Sequence, residues 1–180
     1  MISKNIILNK NEIGIILNRL ACQLIENHQD FSNTILIGLQ PNGKTLLNRL
    51  VQILTNKYDI SELNYGLLDI TFYRDDFRRS NKVLQASTNE MDCVVEGRNV
   101  VFVDDVLYTG RSIRAALTAI QAYGRPSSIE LLILIDRRFS RHLPIQPDFR
   151  GRQVDAIDNE KVIVNWKETH GEDNVYLIKQ

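Results

Sequence analysis

The residues able to do chemistry concentrate in one stretch. Asp104 and Asp105 follow the apolar run Val100-Val101-Phe102-Val103, and Val106-Leu107-Tyr108 leads from them to Thr109-Gly110-Arg111-Ser112. Four consecutive apolar residues read as a buried parallel strand that the two acids stop, and the apolar-periodic Ile113-Arg114-Ala115-Ala116-Leu117 reads as the start of a helix. The first N–H groups of a helix lack helical partners and carry its positive end. Residues 109–112 sit there with two hydroxyls and a glycine that lets the backbone come close, so they form a cradle for a dianionic phosphate. Open parallel sheets place ligands beyond the carboxyl ends of their strands, where a carboxylate can accept from two vicinal hydroxyls. An acid pair beside a phosphate cradle describes a site for a phosphorylated sugar.

A second phosphate-binding pattern lies upstream. Gly38-Leu39-Gln40-Pro41-Asn42-Gly43-Lys44-Thr45 satisfies G-x-x-x-x-G-K-[ST], and residues 100–104 could serve as the acidic strand that holds magnesium in P-loop nucleoside triphosphatases. That class is the remote alternative. Pro41 removes one amide donor and fixes one torsion in a loop that must wrap a triphosphate with successive N–H groups. The P-loop reading also leaves residues 109–112 without a task.

The apolar run with Asp104-Asp105, Val106-Leu107, Tyr108 and Thr109-Gly110-Arg111-Ser112 resembles the phosphoribosyl pyrophosphate (PRPP) signature of type I phosphoribosyltransferases. Four further stretches extend the likeness: Asp69-Ile70-Thr71-Phe72-Tyr73-Arg74-Asp75-Asp76, Gly124-Arg125-Pro126-Ser127-Ser128-Ile129, Leu143-Pro144-Ile145 and Glu160-Lys161-Val162. With them the chain is similar to the PyrR family, which regulates pyrimidine operons and has uracil phosphoribosyltransferase activity. The resemblance runs from about residue 7 to the C-terminus. It implies an α/β type I phosphoribosyltransferase fold: a central, mostly parallel sheet flanked by helices, with a flexible lid loop at about 74–92 and a small base-binding hood. Residues 1–180 would form a single domain, with a base-binding loop at about 136–149.

The resemblance also assigns roles. Uracil N1 would join C1′ of PRPP, releasing pyrophosphate and giving uridine monophosphate (UMP), with Asp104, Asp105 and Arg74 as the catalytic group. Asp104 and Asp105 would bind the ribose hydroxyls and, mostly through substrate and water, magnesium (Mg2+). Thr109, Gly110, Arg111 and Ser112 would hold the 5′-phosphate, and Gln40, Pro41, Asn42 and Gly43 would receive the pyrophosphate. Arg74, Arg78 and Arg79 of the lid would neutralise it as it leaves. Asp136, Arg137, Leu143, Pro144 and Ile145 would frame the base. Gln40 and Asn42 stand where family members carry a basic residue and an arginine, and Arg138 stands where they carry a glycine. A homodimer or higher homo-oligomer is implied, as is an RNA-binding face partly on the first helix, where Arg19 is the charge retained. Two neighbouring readings stay open: a non-catalytic regulator that senses UMP or PRPP and binds RNA, and a transferase for another base, such as a purine.

The rest of the chain must position these residues. With 180 residues, 43% hydrophobic and 24% charged, it is long enough for one α/β domain with a substantial core. Basic and acidic residues balance at 22 each, so an RNA-binding surface would have to be a local patch. Cys22 and Cys93 lack any CxxC spacing, which argues against a disulfide framework or zinc site and for a reducing compartment; both read as small buried hydrophobes. No run of 18 apolar residues occurs and the N-terminus has no long apolar region, so a cytoplasmic protein with no membrane segment is expected.

Apolar periodicity predicts a helix over 11–27 with Asn11 as its N-cap, a strand over 34–39 and a helix opening at Gly43. A strand over 66–73 follows, then a polar, aperiodic connection too long for a turn. The helix after the cradle should run to about Tyr123 and close at Gly124, with Pro126 beyond it. Strands are expected over 129–136, 161–166 and 174–178. Trp166 is read as core, and His28, His142 and His170 receive no catalytic role.

Overall fold

The computed structural model describes residues 3–74, 90–91, 93–157 and 159–179. Most of the expected lid, Arg78 and Arg79 included, lies outside the described residues. The element order is β1 (Ser3–Leu8), α1 (Lys10–His28), β2 (Thr34–Gln40), α2 (Gly43–Tyr58), β3 (Asn64–Asp69), β4 (Asn99–Leu107), α3 (Arg111–Ala119), β5 (Ser128–Arg138), β6 (Phe149–Asp155), β7 (Glu160–Asn165), α4 (Lys167–His170) and β8 (Asn174–Lys179).

Five strands form one parallel sheet in the order β3-β2-β4-β5-β6. All seven residues of β2 are buried, as a central strand covered on both faces requires. Leu46, Leu47, Leu50 and Leu54 of α2 and Leu17, Leu20 and Leu24 of α1 fill one face. Ile113, Ala116 and Ala119 of α3, with Ile120, fill the other against Ile35, Ile37, Phe102 and Ile133. Each fully buried Leu, Ile or Phe contributes roughly 1.5–3 kcal/mol relative to exposure, so these two layers fix where the strand ends lie. A second, antiparallel sheet in the order β1-β8-β7 joins both ends of the described chain. Arg49 of α2 fastens it: the guanidinium donates to Glu168 at 2.7 and 2.9 Å and to Asp173 at 2.5 Å, and lies 4.6 Å from the centre of the Trp166 ring. Trp166 is buried, as its reading as core requires.

Several boundaries differ from expectation. The acids do not stop β4, which runs through them to Leu107. Backbone pairing with β5 continues there, Asp104 opposite Ile133 and Leu107 opposite Asp136, and ladder bonds are indifferent to the side chain. Helix α1 is capped by Asn9, not Asn11: the Asn9 Oδ1 accepts from the N–H of Asn11 and Glu12, and Glu12 accepts from the Asn9 N–H. Strand β3 ends at Asp69, and Thr71–Tyr73 form a 3-10 turn. Helix α3 likewise tightens to 3-10 geometry over Ile120–Tyr123 before Gly124. Cys22 and Cys93 are only half-buried; both are free, and the Cys22 Sγ lies 3.1 Å from the Tyr58 hydroxyl. Among the described residues no helix is long and apolar enough to cross a membrane.

Candidate active site

The parallel strands deliver their carboxyl ends to one edge of the sheet. Strand β4 carries Asp104 and Asp105 there, each 8% exposed. The Asp105 backbone N–H donates to Asp104 Oδ1 at 2.9 Å, which holds the Asp104 carboxylate against the backbone of its neighbour. Burial pushes the Asp104 carboxyl well above the ordinary carboxylate range, the charge of Asp105 adds to this, and the Arg74 guanidinium opposes it. Burial also raises Asp105, to about 6, against hydrogen bonds from the Val106 backbone and the Asn42 side chain. Two carboxyls held largely out of water, with the Arg74 charge offsetting only part of the burial, form a site prepared for hydroxyl donors or a metal ion.

The cradle follows directly. Gly110 takes φ +91°, a left-handed conformation that L side chains rarely adopt, and helix α3 begins at Arg111. That turn places the start of α3 on the same cavity as Asp104. The Arg111 N–H also approaches the Thr109 hydroxyl at 3.4 Å. A cavity of about 220 Å³ is lined by Arg74, Asp104 and residues 106–113, so the cradle, one acid and Arg74 share a single space.

The loop before α2 closes a second side. Gly43 packs so closely that a Cβ there would stand 2.2 Å from the Val103 carbonyl oxygen, which only glycine permits. Asn42 thereby reaches Asp105. The Gln40–Pro41 peptide is cis and Gln40 is buried. Lys44, the P-loop-like lysine, points instead to Glu90 at 3.5 Å, where both side chains are exposed.

A larger cavity of about 540 Å³ adjoins the acid pair. Asn42, Asp104, Asp105, Tyr108 and Arg137 line it, together with residues 160–164 of β7 and His170. Arg137 lies 3.9 Å from the centre of the Tyr108 ring and donates to the Glu160 carbonyl at 2.9 Å, joining the acid side of the cavity to its β7 wall. The β7 wall and His170 had no functional assignment from the sequence. Their apolar alternation reports only a strand, and what that strand faces depends on the distant β1-β8 pairing.

Of the residues expected to frame the base, only Arg137 reaches this cavity. Asp136 is buried and accepts from Arg141 and, at 3.2 Å, from Arg150. Asp136, Leu143, Pro144 and Ile145 line a different cavity of about 610 Å³, which also includes Arg137. Leu143 and Ile145 lie 3.2–3.4 Å from where a Cβ on Gly110 would stand, behind the phosphate cradle. Among the described residues no group of three His, Cys, Asp or Glu comes together as a metal-binding cluster.

Comparison with known proteins bears on this geometry. A family model described as a phosphoribosyl transferase domain matches residues 3–168. The bifunctional protein PyrR of Microcystis aeruginosa is 43% identical over 173 residues, covering 96% of both chains. The bifunctional protein PyrR of Synechocystis sp. is 42% identical over 173 residues, again with 96% of both chains covered. A solved hypoxanthine phosphoribosyltransferase from Staphylococcus aureus superimposes with a TM-score of 0.69 at 18% identity, covering 95% of this chain and 90% of that one. At that identity it is the fold that is shared.

Proposed function

This chain belongs to the PyrR family of phosphoribosyltransferases, and on that premise we propose that it joins uracil to PRPP, forming UMP and pyrophosphate, and reports uridine nucleotide levels to pyrimidine gene expression. The observation that carries the proposal is the buried Asp104-Asp105 pair set between a phosphate cradle and a roofed cavity large enough for a pyrimidine.

The residues divide the work by position. Residues 109–112 bind the 5′-phosphate with N–H groups, hydroxyls and the end of the α3 dipole. Asp104 and Asp105 accept from the ribose hydroxyls and orient C1′ toward the base. Asn42 and its loop receive the departing pyrophosphate, with Arg74 supplying positive charge from the cradle side. Uracil lies in the larger cavity between Tyr108 and Arg137 and the wall of β7. The edge of β7 that is not paired with β8 offers N–H and C=O groups that complement the N3–H and O4 of a pyrimidine. Bond breaking leaves positive charge on the ribose ring and negative charge on the leaving group, so fixed electrostatics rather than a protein nucleophile lower the barrier.

The oxygen donors of Asp104 and Asp105, raised in pKa by burial, suit magnesium, and these two acids would hold it. Bound there, the ion would neutralise pyrophosphate as it leaves. The regulatory half rests on a local basic patch. Strand β6, packed beneath α1, carries Arg150 and Arg152, and Arg138 ends the neighbouring β5; all three side chains are about half exposed, and each also pairs with an acid, Asp136, Glu12 and Asp155 respectively. Such a patch lets a chain of zero net charge bind a phosphate backbone. Arg19 of α1 lies beside it, its guanidinium donating to the Arg150 and Gly151 carbonyls at 3.1 and 2.5 Å, bonds to neutral acceptors that hold the side chain and leave its charge in place.

The test is to incubate the protein with magnesium, PRPP and each nucleobase in turn. UMP formed from uracil, with no product from purines, is the expected result. Product from hypoxanthine or guanine alone would reassign the base. UMP binding without product from any base would leave the regulator alone, and RNA affinity that fails to weaken with salt would remove it.

A further inference from the structure

The segment after β5 grips the phosphate loop from outside. Arg141 donates one arm to the Tyr108 carbonyl at 2.7 Å and the other to the buried Asp136 carboxylate. The His142 N–H donates to the Thr109 carbonyl at 3.0 Å. In a trans peptide, C=O and the following N–H point in opposite directions. Holding the Tyr108 carbonyl outward therefore turns the Thr109 N–H inward, and holding the Thr109 carbonyl outward does the same for the Gly110 N–H. Those two amides belong to the cradle. Gly110, at φ +91°, offers little resistance of its own to a rotated peptide.

We infer that Arg141 is a positioning residue for sugar-phosphate binding, keeping cradle amides aimed at the phosphate, and that Asp136 serves the site as the anchor of Arg141 rather than as a contact to the base. The inference rests on the proposed transferase reading for its substrate. A guanidinium suits the task because its fixed fork can meet two acceptors at once. Lysine, a single point charge on a flexible stem, cannot hold both. Asp136 is 3% exposed, so its anchoring end is fixed by the fold.

The experiment compares the full-length wild type with Arg141→Lys, Arg141→Met and Asp136→Asn. Steady-state kinetics with uracil and magnesium-PRPP are measured beside calorimetric titration with ribose 5-phosphate. KM for PRPP should rise roughly tenfold or more in Arg141→Met, as expected for losing a hydrogen bond from a charged donor. Ribose 5-phosphate affinity should fall in proportion while KM for uracil and kcat change little. Arg141→Lys should rescue only part of the loss, and Asp136→Asn should fall between. An unchanged KM for PRPP in a folded Arg141→Met protein overturns the inference, as does a rise confined to KM for uracil. If the wild type makes no UMP, the transferase reading fails, and the ribose 5-phosphate titration still decides the role of Arg141.

Discussion

The Asp105 N–H bonded to the Asp104 carboxylate at 2.9 Å makes the acid pair a single object. One carboxylate spends an acceptor position on the backbone of the other, while Asn42 reaches Asp105 from the facing loop. Rotating Asp104 therefore releases the Asp105 amide, and rotating Asp105 releases Asn42.

That object should respond to pH in a defined direction. Asp105 rises from an ordinary 3.8 to about 6 in the fold, so the fold disfavours its ionised form. Its contribution to stability is complete below the unfolded value and is lost as pH climbs through about 6. Asp105→Asn should accordingly gain stability over the wild type between about pH 4 and 6, reaching on the order of 3 kcal/mol at pH 8. The same variant should lose most of its UMP synthesis. Denaturant melts across pH, paired with the assay, check both halves. In the wild type, kcat/KM for PRPP should rise with pH through the same region.

Gly43→Ala tests the close approach of the loop proposed to receive pyrophosphate. A methyl group placed 2.2 Å from the Val103 carbonyl must push the loop away from β4. A cost of about 1–3 kcal/mol in unfolding free energy is expected from overpacking. The displaced Asn42 should raise KM for PRPP far more than stability alone accounts for, as kinetics at a temperature where the variant is fully folded would read.

Arg49→Met should loosen the small sheet. The arginine satisfies Glu168 and Asp173 and lies over Trp166, and its own side chain is 17% exposed. Losing these bonds should cost about 2 kcal/mol. Thermal melting should register that as a drop of roughly 4–8 °C for a chain of this size. Because β7 walls the cavity proposed for the base, KM for uracil should rise more than KM for PRPP.

The sequence made the centre of the molecule readable and its rim much less so. Val100-Val101-Phe102-Val103 and Thr34-Ile35-Leu36-Ile37 announce buried parallel strands because they are apolar on both faces, and Gly110 marks a turn that only a permissive residue makes easily. Strands β1 and β6 were not anticipated. Phe149-Arg150-Gly151-Arg152-Gln153 is mostly polar and becomes a strand through pairing with β5, while Ser3–Leu8 needs β8 as a partner. The acid pair and cradle were legible as local motifs. The β7 wall of the proposed base cavity and the Arg141 grip were not, because they depend on how segments far apart in sequence come to lie beside each other. Asp136 shows the difference: its position at a strand end suggests ligand contact, and its partners Arg141 and Arg150 are set by the fold.

The small sheet has one further consequence. Ser3 stands opposite Lys179, so closing β1 onto β8 spans nearly the whole polypeptide. Loop-closure entropy rises with the length enclosed, which makes this pairing among the costliest for a collapsing chain to reach. The βα units of the large sheet can organise beforehand through contacts closer in sequence. During refolding, pulse-labelled amides of β4 and α3 should gain protection before those of β1 and β8, so that the proposed phosphate grip matures before the pocket proposed for the pyrimidine.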